Sequence, residues 1–398
     1  MNSGPPAIRK VRLPKENRLS KRTSVHLDAI RGVSALAVMF YHLRGLFFVD
    51  YPFLANKTLF SKALYAVTGY GHQAVIVFFV LSGYFIGASV MESVSSLQWS
   101  WPTYLVSRIT RLQLVLFPAL VLGAIWDRVG MRLPQALPLY YGALYKFNGP
   151  SVALRSTIPV FLGNFFYLQS IISPVFGSNG ALWSLSYEFW YYMIFPALIL
   201  ATASWMKIRT RILYAGIGLF LLYFVGLQIS FYFLIWLAGA LVWRLQQTNK
   251  FKFNFSGSPY VTGLIFLGAL VWCRTHWLSK NLLADYFVAL CFALWLCALC
   301  AESRMDVSRA YENGAKKLAG FSYTLYLTHF PALLLLRGLL NPMGNWQPDP
   351  RHLLIALVIG LFIIFYAYCV AELTEARTAT VRRRLLQMMA AGNNKAVN

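Results

Sequence analysis

Ten long apolar runs alternate with short polar connectors along this chain, at about 27–49, 64–90, 112–127, 181–204, 211–227, 229–245, 258–273, 283–301, 318–340 and 352–372. Most approach the roughly 20 residues that a helix needs to cross the hydrocarbon of a bilayer. A shorter run, 158–173, is flanked by Pro159 and Pro174 and is expected to be re-entrant or interfacial. The predicted architecture is an all-α polytopic membrane protein of about ten transmembrane helices. The longest connector, 128–180, is rich in Pro, Gly and aromatic residues (Pro134, Pro138, Tyr140, Tyr141, Tyr145, Phe147, Gly149, Pro150). That composition suits a folded cap over the outer face, or packing at the lipid headgroups, more than a structureless linker.

Composition supports the membrane reading: 58% of residues are hydrophobic and 12% charged, with a mean hydropathy of +0.55. The net charge of +23 raises the question of nucleic acid. The basic residues fall in connectors and tails instead of on one face of a soluble domain, so no nucleic-acid partner is expected. With the N-terminus in the cytoplasm, inner segments hold 24 Lys and Arg against 10 in outer segments. This bias places both termini inside an integral plasma (bacterial inner) membrane protein. Residues 1–24 read as a basic, disordered cytoplasmic tail that touches anionic lipid and carries no signal peptide, 25–376 as the membrane domain, and 377–398 as a basic cytoplasmic C-terminal tail. The five cysteines lie within or beside apolar runs; Cys297 and Cys300 have no second Cys pair or His nearby, so no metal is expected.

Polar side chains inside the apolar runs need a reason, because ionisable groups at depth usually face the bundle interior. In "LDAIRGVSALAVMFYHL", Arg31 and His42 are eleven residues apart. At roughly 100° and 1.5 Å per residue they share a face and are about 16 Å apart along the axis. Arg31 can also pair with Asp28 at i,i+3 or reach the interface. In "GHQAVIVFFVLSGYFIG", Gly83 and Gly87 allow close approach of another helix, and His72 is a candidate second polar wall. Arg108 and Arg111, in "SRITR", suit phosphate binding, with membrane anchoring as the plain alternative. Glu188 enters at about the depth of His42, as an orienter for that imidazole or as a carboxyl bonded to Ser184. His329, midway through a late span, is a further polar group for a wet cavity or a core histidine bonded to a carbonyl.

Taken together, these stretches resemble the integral-membrane acyltransferase-3 family over most of the chain. Arg31 and His42 resemble its first-helix pair, and Phe78, Phe79, Ser82 and Gly83 its Phe-Phe-x-x-Ser-Gly motif. Arg108 and Arg111 look like its R-x-x-R pair. Trp183 through Glu188 are similar to its W-S-L-x-x-E motif, and Ser322, Tyr323, Tyr326, Leu327 and His329 to its late S-Y-x-x-Y-L-x-H motif. Two departures stand out. The proline expected soon after the arginine pair comes late, at Pro118. The terminal Glu-x-Pro is missing, since "AELTEART" has Glu372 and Glu375 without proline; neither departure is expected to touch the chemistry.

The resemblance implies transfer of an acyl group, most often acetyl from acetyl-CoA, onto a carbohydrate or glycolipid hydroxyl. In that reading Arg108, Arg111 and Arg31 hold the donor's phosphates, and His42 is the general base, with Arg31 and Glu188 beside it. His72, Ser82, Trp183, Tyr323 and His329 line the cavity. Direct transfer and an acyl-enzyme both remain open, as do a longer acyl donor and a non-carbohydrate acceptor. A proton-coupled transporter or flippase of a lipid-linked sugar would also use buried His and Glu, and a purely structural membrane protein is the remaining class.

Overall fold

The computed structural model describes residues 21–142, 151–248, 259–275, 281–301, 307–340 and 344–395. Residues 1–20 of the expected N-terminal tail, and Tyr145, Phe147, Gly149 and Pro150 of the expected cap, lie outside them. The helices are α1 (Lys21–Phe47), α2 (Leu59–Val67), α3 (Gly71–Ser95), α4 (Trp101–Met131), α5 (Leu137–Tyr140), α6 (Val152–Arg155) and α7 (Ile158–Phe165). They continue with α8 (Trp183–Thr202), α9 (Ile208–Gln247), α10 (Pro259–Thr275), α11 (Leu282–Ala301), α12 (Arg309–Leu340), α13 (Pro350–Leu373) and α14 (Thr378–Lys395). The β pairings among the described residues are two isolated bridges, Phe48 with Trp346 and Gln169 with Ser173.

The chain is an all-α membrane protein. Six helical stretches among the described residues are long and apolar enough to cross a bilayer: Leu59–Ser95, Trp101–Met131, Ile208–Gln247, Leu282–Ala301, Arg309–Leu340 and Pro350–Ala391. Large apolar side chains point away from the protein along these helices, among them Phe117, Val121 and Ile125 on α4, Phe220 and Tyr223 on α9, and Leu361 and Phe365 on α13. Such a surface is stable against lipid tails and not against water.

Helix occupies most of each of the ten expected runs, with three differences of form. The run 64–90 is interrupted at Thr68–Tyr70, between α2 and α3. The runs 211–227 and 229–245 are the halves of α9, which breaks at Gly226 (φ 82°, ψ 168°), a left-handed backbone that glycine adopts without steric cost. The Ser230 hydroxyl donates to the Leu222 carbonyl at 2.9 Å across this break. A carbonyl freed from the helix ladder is thereby satisfied inside the protein, as hydrocarbon requires. The run 112–127 is part of a longer helix, because Ser100 caps α4 and Pro102 occupies its first turn. The polar stretch Ser107–Arg111 is therefore helical too.

Two apolar cores divide the bundle. One gathers α3, α4, α8, α9 and α11 around Phe79, Leu116, Tyr191, Trp236 and Phe292. The other joins α1, α12 and α13 through Met39, Phe47, Leu325, Leu333 and Ile363. Within the first, α3 and α9 cross at bare backbone: a Cβ on Gly83 would overlap the Trp236 carbonyl, one on Gly87 would press on Ala240, and one on Gly239 would overlap the Val80 carbonyl. The small residues read from the sequence therefore do meet a neighbouring helix.

The segment after α4 folds back as a cap. Buried Asp127 accepts hydrogen bonds from the Ser178 N–H (2.7 Å) and hydroxyl (2.6 Å), tying the end of the cap to α4. Helix α7 turns Ile158, Leu162 and Phe166 outward, as an interfacial segment would. The turn that follows is drawn inward. Tyr167 stacks on Phe189 with ring centroids 4.2 Å apart and donates to the Gln113 amide oxygen at 2.5 Å.

Gly83→Val is expected to force α3 from α9 and cost about 1–3 kcal/mol, whereas Gly216→Ala, where a Cβ meets nothing within 4 Å, should be neutral or slightly stabilising. Thermal unfolding of the two purified variants in detergent checks this; equal midpoints would contradict the close crossing.

A candidate active site between two helical packs

Helix α1 is held against α12 by a close approach at Gly32, whose absent side chain leaves room for Leu318. About three turns farther along both helices, His42 meets His329, with Nδ1 of the first 2.8 Å from Nε2 of the second. The imidazoles are stacked, with centroids 5.0 Å apart and planes 26° apart, and Phe330 stands edge-on to His42. His329 Nδ1 lies 2.9 Å from the Leu325 carbonyl, which can only accept. In the neutral pair, His329 therefore carries its proton on Nδ1 and accepts at Nε2. His42 must then donate from Nδ1, leaving the lone pair of its ring on Nε2. His329 is the core histidine bonded to a carbonyl that was one of its two expected forms, and it is also the partner of His42, which the sequence did not suggest.

At the seam of the two packs, toward the start of α1, lies a cavity of about 70 Å³. Its polar lining comes from five helices: Arg31 of α1, Ser82 of α3, Arg111 of α4, Ser184, Glu188 and Tyr192 of α8, and Ser322, Tyr323 and Tyr326 of α12. Arg31 leans on Asp28 at 3.5 Å, so the ion pair read from the sequence forms and Arg31 still reaches the cavity. Glu188 is fixed by the Tyr192 hydroxyl and by Ser82, which donates at 3.3 Å; Ser82 in turn accepts from the Trp236 indole at 3.2 Å. One carboxylate and two guanidiniums thus share a small, largely apolar chamber.

A second cavity, about 230 Å³, adjoins the first through Arg111 and Tyr323. Glu375 lines it, and the carboxylate accepts from the N–H and hydroxyl of Thr324, both at 2.9 Å. The departure at "AELTEART" therefore falls on the wall of this mouth, contrary to the expectation that it lies away from the site.

The structure separates several residues that were expected together. His42 and Glu188 are not hydrogen-bonded: the first bonds to His329, the second to Tyr192 and Ser82. Ser184 does not hold Glu188 either; its hydroxyl is 2.7 Å from that of Tyr326. Neither imidazole lines the cavity, and Tyr326, which does, has its ring 6.4 Å from that of His329 and 5.8 Å from that of Phe78. The arginine pair is split as well. Arg111 faces the cavities, while Arg108 turns to α3, donates to Ser89 at 3.0 Å and lies over the Tyr104 ring.

His72 and Trp183 also lie outside the cavity lining and form a cluster of their own. His72 Nε2 is 2.9 Å from both oxygens of Asp285, and the Tyr232 hydroxyl donates to Asp285 at 2.6 Å. The His72 ring stacks on Trp183 at 6.4 Å, and Trp183 meets Tyr187 and Tyr232 edge-on. Asp285 and Tyr232 were not singled out from the sequence. An acidic residue in the first turn of an apolar run was the available signal for Asp285; Tyr232 had none. Tyr192 and Tyr326 were likewise hidden among many membrane tyrosines.

Comparison with known proteins agrees with the motifs. The family model described as "Acyltransferase domain" matches residues 25–369. A Bacillus subtilis (strain 168) protein named "Putative peptidoglycan O-acetyltransferase YrhL" is 22% identical over 378 residues, covering 86% of this chain and 53% of that protein. The chain thus spans about half the length of this curated relative. No solved structure matches. With its motifs in order and the family model covering most of its length, this chain belongs to the integral-membrane acyltransferase-3 family.

Proposed function

We propose that this protein moves an acyl group, most simply acetyl, from cytoplasmic acyl-CoA to a hydroxyl of a carbohydrate or glycolipid at the outer side of the bacterial inner membrane. The observation that carries the reading is the order of groups along α1 and α12: cations and a mouth toward one end, then the chamber, then paired imidazoles. The bias of basic connectors supports a cytoplasmic mouth and cytoplasmic termini. A soluble polyanion with a long thin arm fits that order, with Arg111 and Arg31 toward its phosphates. Arg108, which donates to Ser89 of α3, is turned away from the cavities and has no place in this reading of the phosphate site. The relative's printed name supports an acetyl donor and a glycan acceptor.

The reaction follows from the imidazole pair. His42 Nε2 removes the proton from the acceptor hydroxyl as its oxygen attacks the thioester carbonyl. The C–O bond forms, the C–S bond breaks, and the proton passes from the imidazolium to the departing thiolate. The products are an O-acyl ester and free CoA. His329 holds the His42 tautomer and shares the imidazolium charge. Glu188, bonded to Tyr192 and Ser82, shapes the chamber that the thioester crosses. At about 70 Å³ the chamber is far smaller than the roughly 300 Å³ or more of an ordinary ligand pocket. Donor entry therefore requires Phe78 and Tyr326 to move, which opens the way to the imidazoles. Trp183 and the His72–Asp285 pair, aromatic faces with a polar edge, suit a sugar ring on the acceptor side.

Three outcomes are expected with full-length protein in liposomes, radiolabelled acetyl-CoA and chitopentaose as the acceptor. His42→Ala should lose about 10²–10⁴-fold in transfer while remaining folded; near-normal turnover removes it as the base. His329→Ala should lower kcat with little change in the KM for acetyl-CoA, and an unchanged kcat would contradict its positioning role. Trp183→Ala should raise the KM for chitopentaose about tenfold, as loss of one stacking face implies, and an unaltered value would remove it from the acceptor side.

A further inference from the structure

The mouth cavity has a wall that no family motif supplies. The family match ends at residue 369, yet α14, which begins at Thr378, folds back against α4. Thr378, Ala379 and Arg382 of this helix line the 230 Å³ cavity together with Arg111, Tyr323 and Glu375. The reading of 377–398 as a tail missed this, because "VRRRLLQ" looks like ordinary positive-inside sequence. Three consecutive arginines on a helix point in directions roughly 100° apart, and of Arg382, Arg383 and Arg384 only Arg382 reaches the cavity.

Two features mark the cavity as a ligand site and not merely an anchor. The guanidiniums of Arg111 and Arg382 have no hydrogen-bond or ion-pair partner among the described residues, and both line the same space. The Glu375 carboxylate lines the same cavity and acts on Arg111 through its charge, but it spends its hydrogen bonds on the N–H and hydroxyl of Thr324 and forms no ion pair with either guanidinium among the described residues. Two unpaired planar cations about one cavity, with a threonine and a tyrosine hydroxyl in its wall, form a receptor for phosphoester oxygens.

We infer that α14 completes the donor site, with Arg382 and Arg111 together binding the phosphates of acyl-CoA at the mouth. This rests on the acyltransferase reading above. Arg111 is shared with the inner chamber, so it takes the phosphate nearest the arm, while Arg382 takes charge farther out. An anionic lipid headgroup presents the same phosphoester chemistry, so the test has to separate the two sources.

The test is equilibrium binding of radiolabelled CoA to the full-length protein in nanodiscs of phosphatidylcholine alone and of phosphatidylcholine with phosphatidylglycerol. Arg382→Ala should weaken CoA binding about tenfold in both lipids, the loss of one charge-assisted pair. Arg382→Lys should recover part of it, and Arg383→Ala, which removes the same charge beside the cavity, should bind as wild type. If Arg382→Ala and wild type bind CoA equally, or if Arg383→Ala loses as much, the assignment fails while the acyltransferase reading stands. If the loss appears only in phosphatidylglycerol, the site belongs to lipid and the inference is overturned. If the wild-type protein binds no CoA in either lipid, both readings fall together.

Discussion

A histidine inside a helical bundle needs a polar partner, and half-buried His42 takes one from a helix 287 positions away in the chain. That contact links the first membrane helix to a late one and, with the Leu325 carbonyl behind His329, sets which ring nitrogen of His42 bears the proton. It also demands register. A shift of α12 by one residue would turn His329 away by about 100°. The approach of Leu318 at Gly32, and the apolar packing of Met39, Leu43 and Phe47 on Leu325 and Leu333, are what prevent that slip. The core thus serves the chemistry by fixing rotation, which apolar packing alone rarely needs to specify so closely.

The other polar groups are disposed along the bundle in a chemically consistent series. Guanidiniums gather at the mouth and at the adjoining chamber, where their charge can be met by an anion. Neutral hydroxyls and Glu188 follow, then the imidazoles. The aromatic cluster about Trp183 is tied to Asp285 of α11 through His72 and Tyr232. The histidine pairs and Glu188 find their partners inside the protein, as polar side chains in a membrane interior usually do, while Arg111 and Arg382 keep donors turned to the cavities. The Tyr326 ring lines the small chamber and lies 6.4 Å from the His329 ring, so it joins the arginine end of this series to the imidazoles.

Much of the fold was legible because hydropathy and helical period are local. The apolar runs appear as helices, Gly83 and Gly87 meet a neighbour, and Arg31 and His42 share a face as their spacing implies. What was not legible depends on which helix stands opposite. Spacing alone gave no means of pairing His42 with His329 instead of Glu188, or His72 with Asp285. Arg108 and Arg111 show the limit well. At i,i+3 they begin on one face, yet Ser89 of α3 claims one and the cavities receive the other. Glu375 and Arg382 were discounted because one seemed a motif remnant and the other part of a basic tail; backbone that returns to the bundle after α13 gave both a place at the mouth.

The central claim is that a thioester carried from the arginine mouth comes to rest at the imidazole of His42. A structure of the full-length protein in nanodiscs with a non-reactive thioether analogue of acetyl-CoA tests it most directly. The account predicts phosphates at Arg111, the arm past a displaced Tyr326, and the carbonyl carbon placed so that an acceptor oxygen about 3–3.5 Å from it also contacts His42 Nε2. An analogue whose arm lies outside the bundle, or ends in the chamber with Tyr326 still closed over it, would contradict that account.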